Sequence, residues 1–267
     1  MVFGPLSHRS RSAIAWWPIF RSALGLYAIG VLLLLATENA SLFPTVAILG
    51  NFLVPATYVA YFYEHRHLSR VSVPTTAMSF IYGGALGVFA AAILEPLFID
   101  QLGFQTAFAV GLIEEFAKVL GVWAIARRRR HDSELDGLLL GFAAGTGFAA
   151  FESTSYAVGA FVHSGGTLSV RVVRILLRGL IAPIGHATWT GLLAGVCFRE
   201  TRDARFRLTR PVLGAYLGVA ILHGFWDGLL HLHLSGIVLS FGFVGLSVLS
   251  VGAFWWRWQT AQHLGRE

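Results

Sequence analysis

Apolar residues fill this chain in runs of about twenty, parted by short polar stretches. About twenty apolar residues in a helix cross a bilayer's hydrocarbon core. The runs predict membrane-crossing helices over 13–36, 44–64, 74–94, 104–126, 136–161, 179–198, 211–232 and 235–256. The expected fold is therefore all-α: a polytopic membrane helix bundle of about eight transmembrane helices, forming one membrane-embedded domain over 1–267. The first run is longer than the apolar core of a cleaved signal peptide and holds Arg21, so it reads as a retained span. There is no domain-sized linker, low-complexity tract or internal repeat.

The polar stretches alternate in character. Arg9 and Arg11 precede the first run, Glu38 follows it, and "EHRHLSR" (Glu64 to Arg70) comes next. Glu95 and Asp100 mark an acidic turn, then "RRRR" (Arg127 to Arg130) follows. "RETRDARFRLTR" (Arg199 to Arg210) and the terminal Arg257 and Arg266 complete the pattern. Arginine-rich loops favour the cytoplasm, which puts both termini there. "RVVRILLR" (Arg171 to Arg178) falls on the outer side. Its arginines share one helical face, predicting an amphipathic interfacial helix between spans five and six.

Composition agrees with this picture: 55% of the 267 residues are hydrophobic and 13% charged, against about 25% charged in soluble domains. The net charge of +6 therefore reads as a topology signal and not as a nucleic-acid surface. The expected surroundings are a lipid bilayer, with no nucleic acid. Cys197 is alone, which excludes an intrachain disulfide, and it reads as packing.

Against that background the ionisable residues inside the runs stand out. Depth follows from the helical rise of about 1.5 Å per residue. Glu114 and Glu115 fall about 18–20 Å from the cytoplasmic boundary at Arg127. Glu152 falls about 24 Å in, His186 and His223 about 20 Å, and Asp227 about 25 Å. Four helices thus present ionisable groups in one slab. A charge at the bilayer centre costs at least about 2.5 kcal/mol, so such groups pair or line a polar cavity. Glu114 and Lys118 are four residues apart and Glu115 and Lys118 three, so the lysine reaches both carboxylates. His223 and Asp227 are also four apart.

Glycines recur at four-residue spacing on the same spans: Gly137, Gly141 and Gly145; Gly191 and Gly195; Gly214 and Gly218; Gly224 and Gly228. Small-xxx-small faces let membrane helices approach closely, so these spans are expected to form a tight bundle.

Three motifs stand in order: "EEFAK" (114–118), "FAAFE" (148–152) and "HGFWD" (223–227), with "GHATWTG" around His186. As EExxK, FxxxE and HxxxD on successive membrane helices they resemble the PrsW family of intramembrane proteases. More distantly they resemble the CAAX-processing and bacteriocin-immunity protease superfamily, where the second motif ends in His and not in Glu152. The resemblance covers roughly 75–232, with a catalytic core over 104–232. It implies a membrane-embedded peptidase acting on single-span membrane proteins or peptides such as anti-sigma factors, cut on the outer side.

Hydrolysis needs an activated water, a stabiliser for the oxyanion and a proton for the leaving amine. Glu115 is the expected general base, with Glu114 paired to Lys118 or binding water; the two glutamates can exchange roles. Two versions stay open for the rest. In one, Glu152, His186 and His223 bind Zn²⁺, a two-His, one-carboxylate set with an open position, and Asp227 orients His223 or binds directly. In the other there is no metal, and histidine and Asp227 supply the oxyanion donors. His65, His67, His163, His231 and His233 read as ordinary hydrogen-bonding or solvated residues. The tryptophans read as interfacial belts, with Trp189 and Trp226 packing or lining a groove.

Two other functions compete. Intramembrane carboxylates and histidines also mark proton- or cation-coupled transporters, but the internal repeats and broken midplane helices of transporters are missing. A membrane scaffold, whose polar cluster only fixes packing, is the third reading.

Overall fold

The computed structural model describes residues 15–66, 68–126, 133–166, 170–201 and 205–264. The side chains of 170–180 lie outside that description, as do Arg9, Arg11, His67, Arg127–Arg130 and Arg266. Every described element is helical: α1 (Trp16–Thr37), α2 (Phe43–Glu64), α3 (Val73–Met78), α4 (Gly84–Phe98), α5 (Thr106–Ala126), α6 (Glu134–His163), α7 (Val170–Arg199), α8 (Arg210–Gly228) and α9 (Gly236–Leu264). Short 3₁₀ turns precede α2 and follow α8.

Among the described residues, six segments are long and apolar enough to cross a membrane: Trp16–Thr37, Ala40–Glu64, Val73–Phe98, Ile181–Arg199, Arg210–His231 and Gly236–His263. The chain is an integral membrane protein. The other two expected spans, α5 and α6, are long helices outside this set. The reason differs between them. α5 carries Glu114, Glu115 and Lys118. α6 is buried at every position from Leu135 to Ala150, so this stretch meets protein on all sides and needs no lipid-facing surface. α7 departs from expectation too. The backbone is helical without a break from Val170 to Arg199, with Pro183 inside it. The stretch expected as a separate interfacial helix is thus continuous with the following span.

α6 is the axis of the bundle, and glycine explains how its neighbours reach it. A methyl group on Gly141 would meet Ala194 Cβ at 2.6 Å and Gly191 Cα at 2.9 Å. One on Gly137 would meet Phe198, and one on Gly145 the carbonyl oxygen of His186. From the α7 side, Gly195 lies against Leu138. The two helices therefore touch backbone to backbone, as the spacing predicts. α8 follows the rule only in its C-terminal half. Gly224 and Gly228 pack against Phe108 and Phe104, and Gly111 of α5 faces Ala220 and Gly224. Gly214 and Gly218 have no neighbour among the described residues. The α5–α8 contact runs through Gly111, Ala220 and Gly224, so Gly214 and Gly218 lie beyond it.

The third span is not a regular helix. Ser79–Gly83 form a π-helical turn between α3 and α4. Ser79 Oγ donates to the Leu140 carbonyl at 2.8 Å. The wider turn lays Gly83 and Gly84 on Ala144 and Gly147 of α6, while Gly121 of α5 packs on Gly83. Such turns recur at functional sites, and this one brings α4, α5 and α6 together one turn from Lys118. The apolar core beside these contacts holds Leu138, Leu139, Trp189, Phe198 and Phe254.

Because Gly145 sits on the His186 carbonyl, Gly145→Ala is expected to destabilise the fold by about 1–3 kcal/mol through overpacking. Thermal melting in detergent measures it. A melting temperature equal to that of the unchanged protein would mean that α6 and α7 are not in backbone contact here.

Candidate active site

The site begins on α5. Ala, Val, Leu and Ile around "GLIEEFAK" supply a helix with no proline, and the charged residues recur on its inner face. Lys118 is fully buried. Its Nζ donates to Glu114 Oε2 at 2.9 Å and to Glu115 Oε1 at 2.9 Å, and lies 2.7 Å from His186 Nδ1. It also sits 4.0 Å from the centroid of the Phe148 ring, a cation–π contact. Gly87 of α4 makes room for it, since a methyl there would meet Lys118 Cγ at 3.4 Å.

The two glutamates differ in environment. Glu115 is fully buried and held at both oxygens. Oε1 accepts from Lys118 and lies 3.0 Å from His223 Nδ1, while Oε2 accepts from Thr190 Oγ1 at 2.9 Å. Glu114 Oε2 has Lys118 and then two histidines: His223 Nε2 at 3.5 Å and His186 Nδ1 at 3.8 Å. The Glu95 carboxyl at the end of α4 lies close to Glu114. Glu115 thus faces its own scaffold, whereas Glu114 faces the centre of the cluster.

α7 and α8 bring the histidines. Their rings meet edge to face, with centroids 5.0 Å apart. His223 Nε2 lies 3.3 Å from Asp227 Oδ2, and His186 Nε2 lies 3.4 Å from Glu152 Oε2. Yet both Nε2 atoms are buried without a hydrogen-bond partner of good geometry. All seven residues singled out from the sequence therefore come together: Glu114, Glu115, Lys118, Glu152, His186, His223 and Asp227. Asp227 and Glu152 carry the site's exposure, with 26% and 11% of their side chains accessible.

Donor chemistry here fits a zinc-like cation. Glu114, His186 and His223 each offer one ligand atom, all within 4.8 Å of one another and all buried. Two orphaned ring nitrogens facing carboxylates are what such a site shows when it has the ligands for a cation. The trio differs from the sequence expectation in one member. Glu114 takes the place given to Glu152 from the sequence, and Glu152 Oε2 lies 3.4 Å from His186 Nε2. The fit makes one demand. A metal on His186 Nε2 leaves the proton on Nδ1, so Lys118 must then turn wholly toward its two glutamates.

A family model described as PrsW family intramembrane metalloprotease matches residues 72–254. The chain belongs to this family. No curated protein and no solved structure matches it.

The matched region runs from the foot of α3 to α9 and contains every residue of the cluster. Membership in a protease family makes the protein a hydrolase of the membrane and does not favour the transporter reading. It also draws attention to residues of this PrsW-family site that motif spacing leaves out. Thr190 and Trp189 lie in "GHATWTG", but nothing in their spacing says that one bonds Glu115 and the other stacks on His223, with centroids 4.9 Å apart. Glu95 looked like part of an outer acidic turn. Its contact with Glu114 depends on how α4 packs on α5, which no local pattern encodes. Two other histidines bond within their own helices: His65 Nδ1 is 2.8 Å from the Tyr61 carbonyl and His163 Nδ1 2.6 Å from that of Gly159. Trp226 packs against Phe243 and Trp189.

Proposed function

We propose that this protein hydrolyses a peptide bond within or beside the membrane-spanning segment of single-span membrane proteins, using a Zn²⁺ held by Glu114, His186 and His223. The observation that carries the reading is the convergence of these three buried residues around two unpartnered ring nitrogens. The substrate class, of the anti-sigma-factor kind, and cleavage toward the outer side come from the resemblance of the three motifs. Span count and topology are part of the proposal: α5 and α6 also cross, giving eight spans, and the arginine-rich loops face the cytoplasm with both termini.

Zn²⁺ bound there supplies the positive charge that acidifies water and polarises the scissile carbonyl. The chain's own residues do the rest. Glu115 accepts the Nδ1 proton of His223, which fixes the tautomer and turns Nε2 to the cavity. Lys118 compensates Glu114 and Glu115, whose charges would otherwise stand alone in a low-dielectric interior. Glu152 takes the proton from the attacking water and returns it to the leaving nitrogen. Asp227, at the more open edge, faces His223 Nε2 and adds negative charge beside the cation site. In this scheme Glu115 orients and Glu114 meets the reacting centre, the exchange of roles that the adjacent pair allowed.

A second reading has an observation of its own. The Lys118 ammonium already lies against Glu114, Glu115 and His186, and a cation in that position serves a metal-free site. There Glu114 activates water directly, and His223 with Asp227 stabilises the oxyanion.

Metal analysis of detergent-purified protein separates the two. About one zinc per chain is expected, falling to background in His186→Ala/His223→Ala. Equal, negligible zinc in both would end the metal reading. Co-expression with a panel of tagged single-span membrane proteins tests the peptidase. Failure of every member to be cut, at normal expression and insertion, would end that proposal.

A further inference from the structure

α9 is mostly lipid-facing, but one hydroxyl on it is fully buried. Ser250 lies on the stripe formed with Phe254, Trp258 and Ala261, and its Oγ accepts from Trp189 Nε1 at 2.9 Å. Trp189 is fully buried as well. Its ring folds back along α7 over Gly185, where a methyl group would meet the indole at 2.5 Å. That glycine is what lets the indole lie flat. The ring stacks on His223 at an interplanar angle of 28° and meets His186 edge-on at 5.8 Å.

We propose that Ser250 and Trp189 are positioning residues for His223: Ser250 fixes the indole, and the indole fixes the plane of the imidazole whose Nε2 faces the reacting centre. The argument is geometric. His223 is hydrogen-bonded by Glu115 on Nδ1, but its Nε2 has no hydrogen-bond partner, and one such bond leaves the ring free to rock about that axis. A face-to-face neighbour removes that freedom. A buried indole N–H in turn needs an acceptor, and the acceptor is supplied by a helix that contributes no other atom to the site. This extends the proposed hydrolytic site to α9 and rests on that reading for its effect on cleavage, but not for its effect on His223.

The test uses the full-length protein in detergent with ¹⁵N-labelled histidine, the His223 ring signal being identified by its loss in His223→Gln. The unchanged protein is expected to show one sharp Nδ1-protonated tautomer. Ser250→Ala and Trp189→Phe are each expected to broaden it or split it between tautomers, with the fold retained in Ser250→Ala at a melting temperature lowered by a few degrees. Because both break one hydrogen bond, the double variant should do no more than the worse single one. Cleavage of a co-expressed single-span substrate should fall about tenfold in each, in kcat with KM unchanged, the scale on which partners of a site histidine act. Unaltered His223 signals in both variants would overturn the proposal. So would altered signals with wild-type cleavage, or a raised KM, which would instead make Trp189 a substrate contact. Absence of cleavage in the unchanged protein would count against the peptidase reading alone, and the histidine signals would still decide this one.

Discussion

Glu114→Gln is expected to lower cleavage of a single-span substrate about a thousandfold, the range attributed to a positioned acid–base group, while the protein stays folded and inserted. Glutamine is isosteric and still accepts a hydrogen bond from Lys118. What it lacks is the negative charge facing His223 Nε2 at 3.5 Å. As a zinc ligand or as the direct base, Glu114 needs that charge, so the loss is expected under both readings. Zinc content tells them apart: it falls with activity if Glu114 is a ligand and is irrelevant in a metal-free site. Glu115→Gln is the informative comparison. Its two oxygens are taken by Lys118, His223 and Thr190. An amide can keep some of these contacts and loses the rest, so the expected loss is smaller, about tenfold, through the orientation of His223. If Glu115→Gln were the more damaging variant, the role exchange proposed above would be wrong. If Glu114→Gln cut at the wild-type rate, Glu114 would not face the reacting water at all.

Why the adjacent glutamates could be recognised but not ranked from the sequence is a matter of geometry. Spacing of three and four residues is enough to join Glu114, Glu115 and Lys118, and again His223 and Asp227, because helical geometry fixes neighbours along one helix. Equal depth on four helices was enough to bring the groups into one slab. Which oxygen meets which nitrogen depends on the rotation of each helix about its axis. That rotation is set by contacts such as Gly111 on Ala220 and Gly145 on His186. The glycine spacing announced a close α6–α7 approach but gave the same signal for Gly214 and Gly218, which touch nothing described. Six of the eight expected spans follow from apolar composition alone. α5 and α6 do not, because their polar and small residues serve the interior of the bundle. Thr190, Ser250 and Glu95 were illegible for a simpler reason. A serine, a threonine or a glutamate near a helix end is common, and only its distant partner gives it meaning.

Lys118→Met is expected to destabilise the protein by about 3–5 kcal/mol, the cost of removing one partner from a buried ion pair. Methionine matches the aliphatic stem and keeps the packing against Phe148 and Gly87, so loss of the charge dominates. Without the ammonium, Glu114 and Glu115 keep two carboxylates in a region from which water is largely excluded, with the neutral partners Thr190 and the two histidines left to meet them and no fixed positive charge. A buried carboxylate without its counter-charge takes up a proton or draws in water, and either response loosens the cluster. Thermal melting in detergent measures the effect. Adding Glu115→Gln to Lys118→Met removes one of the stranded charges and is expected to recover part of the lost stability, a coupling that distant residues would not show. A melting temperature unmoved by Lys118→Met would mean that the lysine does not neutralise these glutamates in the folded protein. The scaffold reading makes the same stability prediction but a different one for activity. If Lys118 only braces the bundle, Lys118→Met/Glu115→Gln should regain cleavage along with its fold. If the lysine and Glu115 hold His186 and His223 for hydrolysis, the stabilised double variant stays inactive.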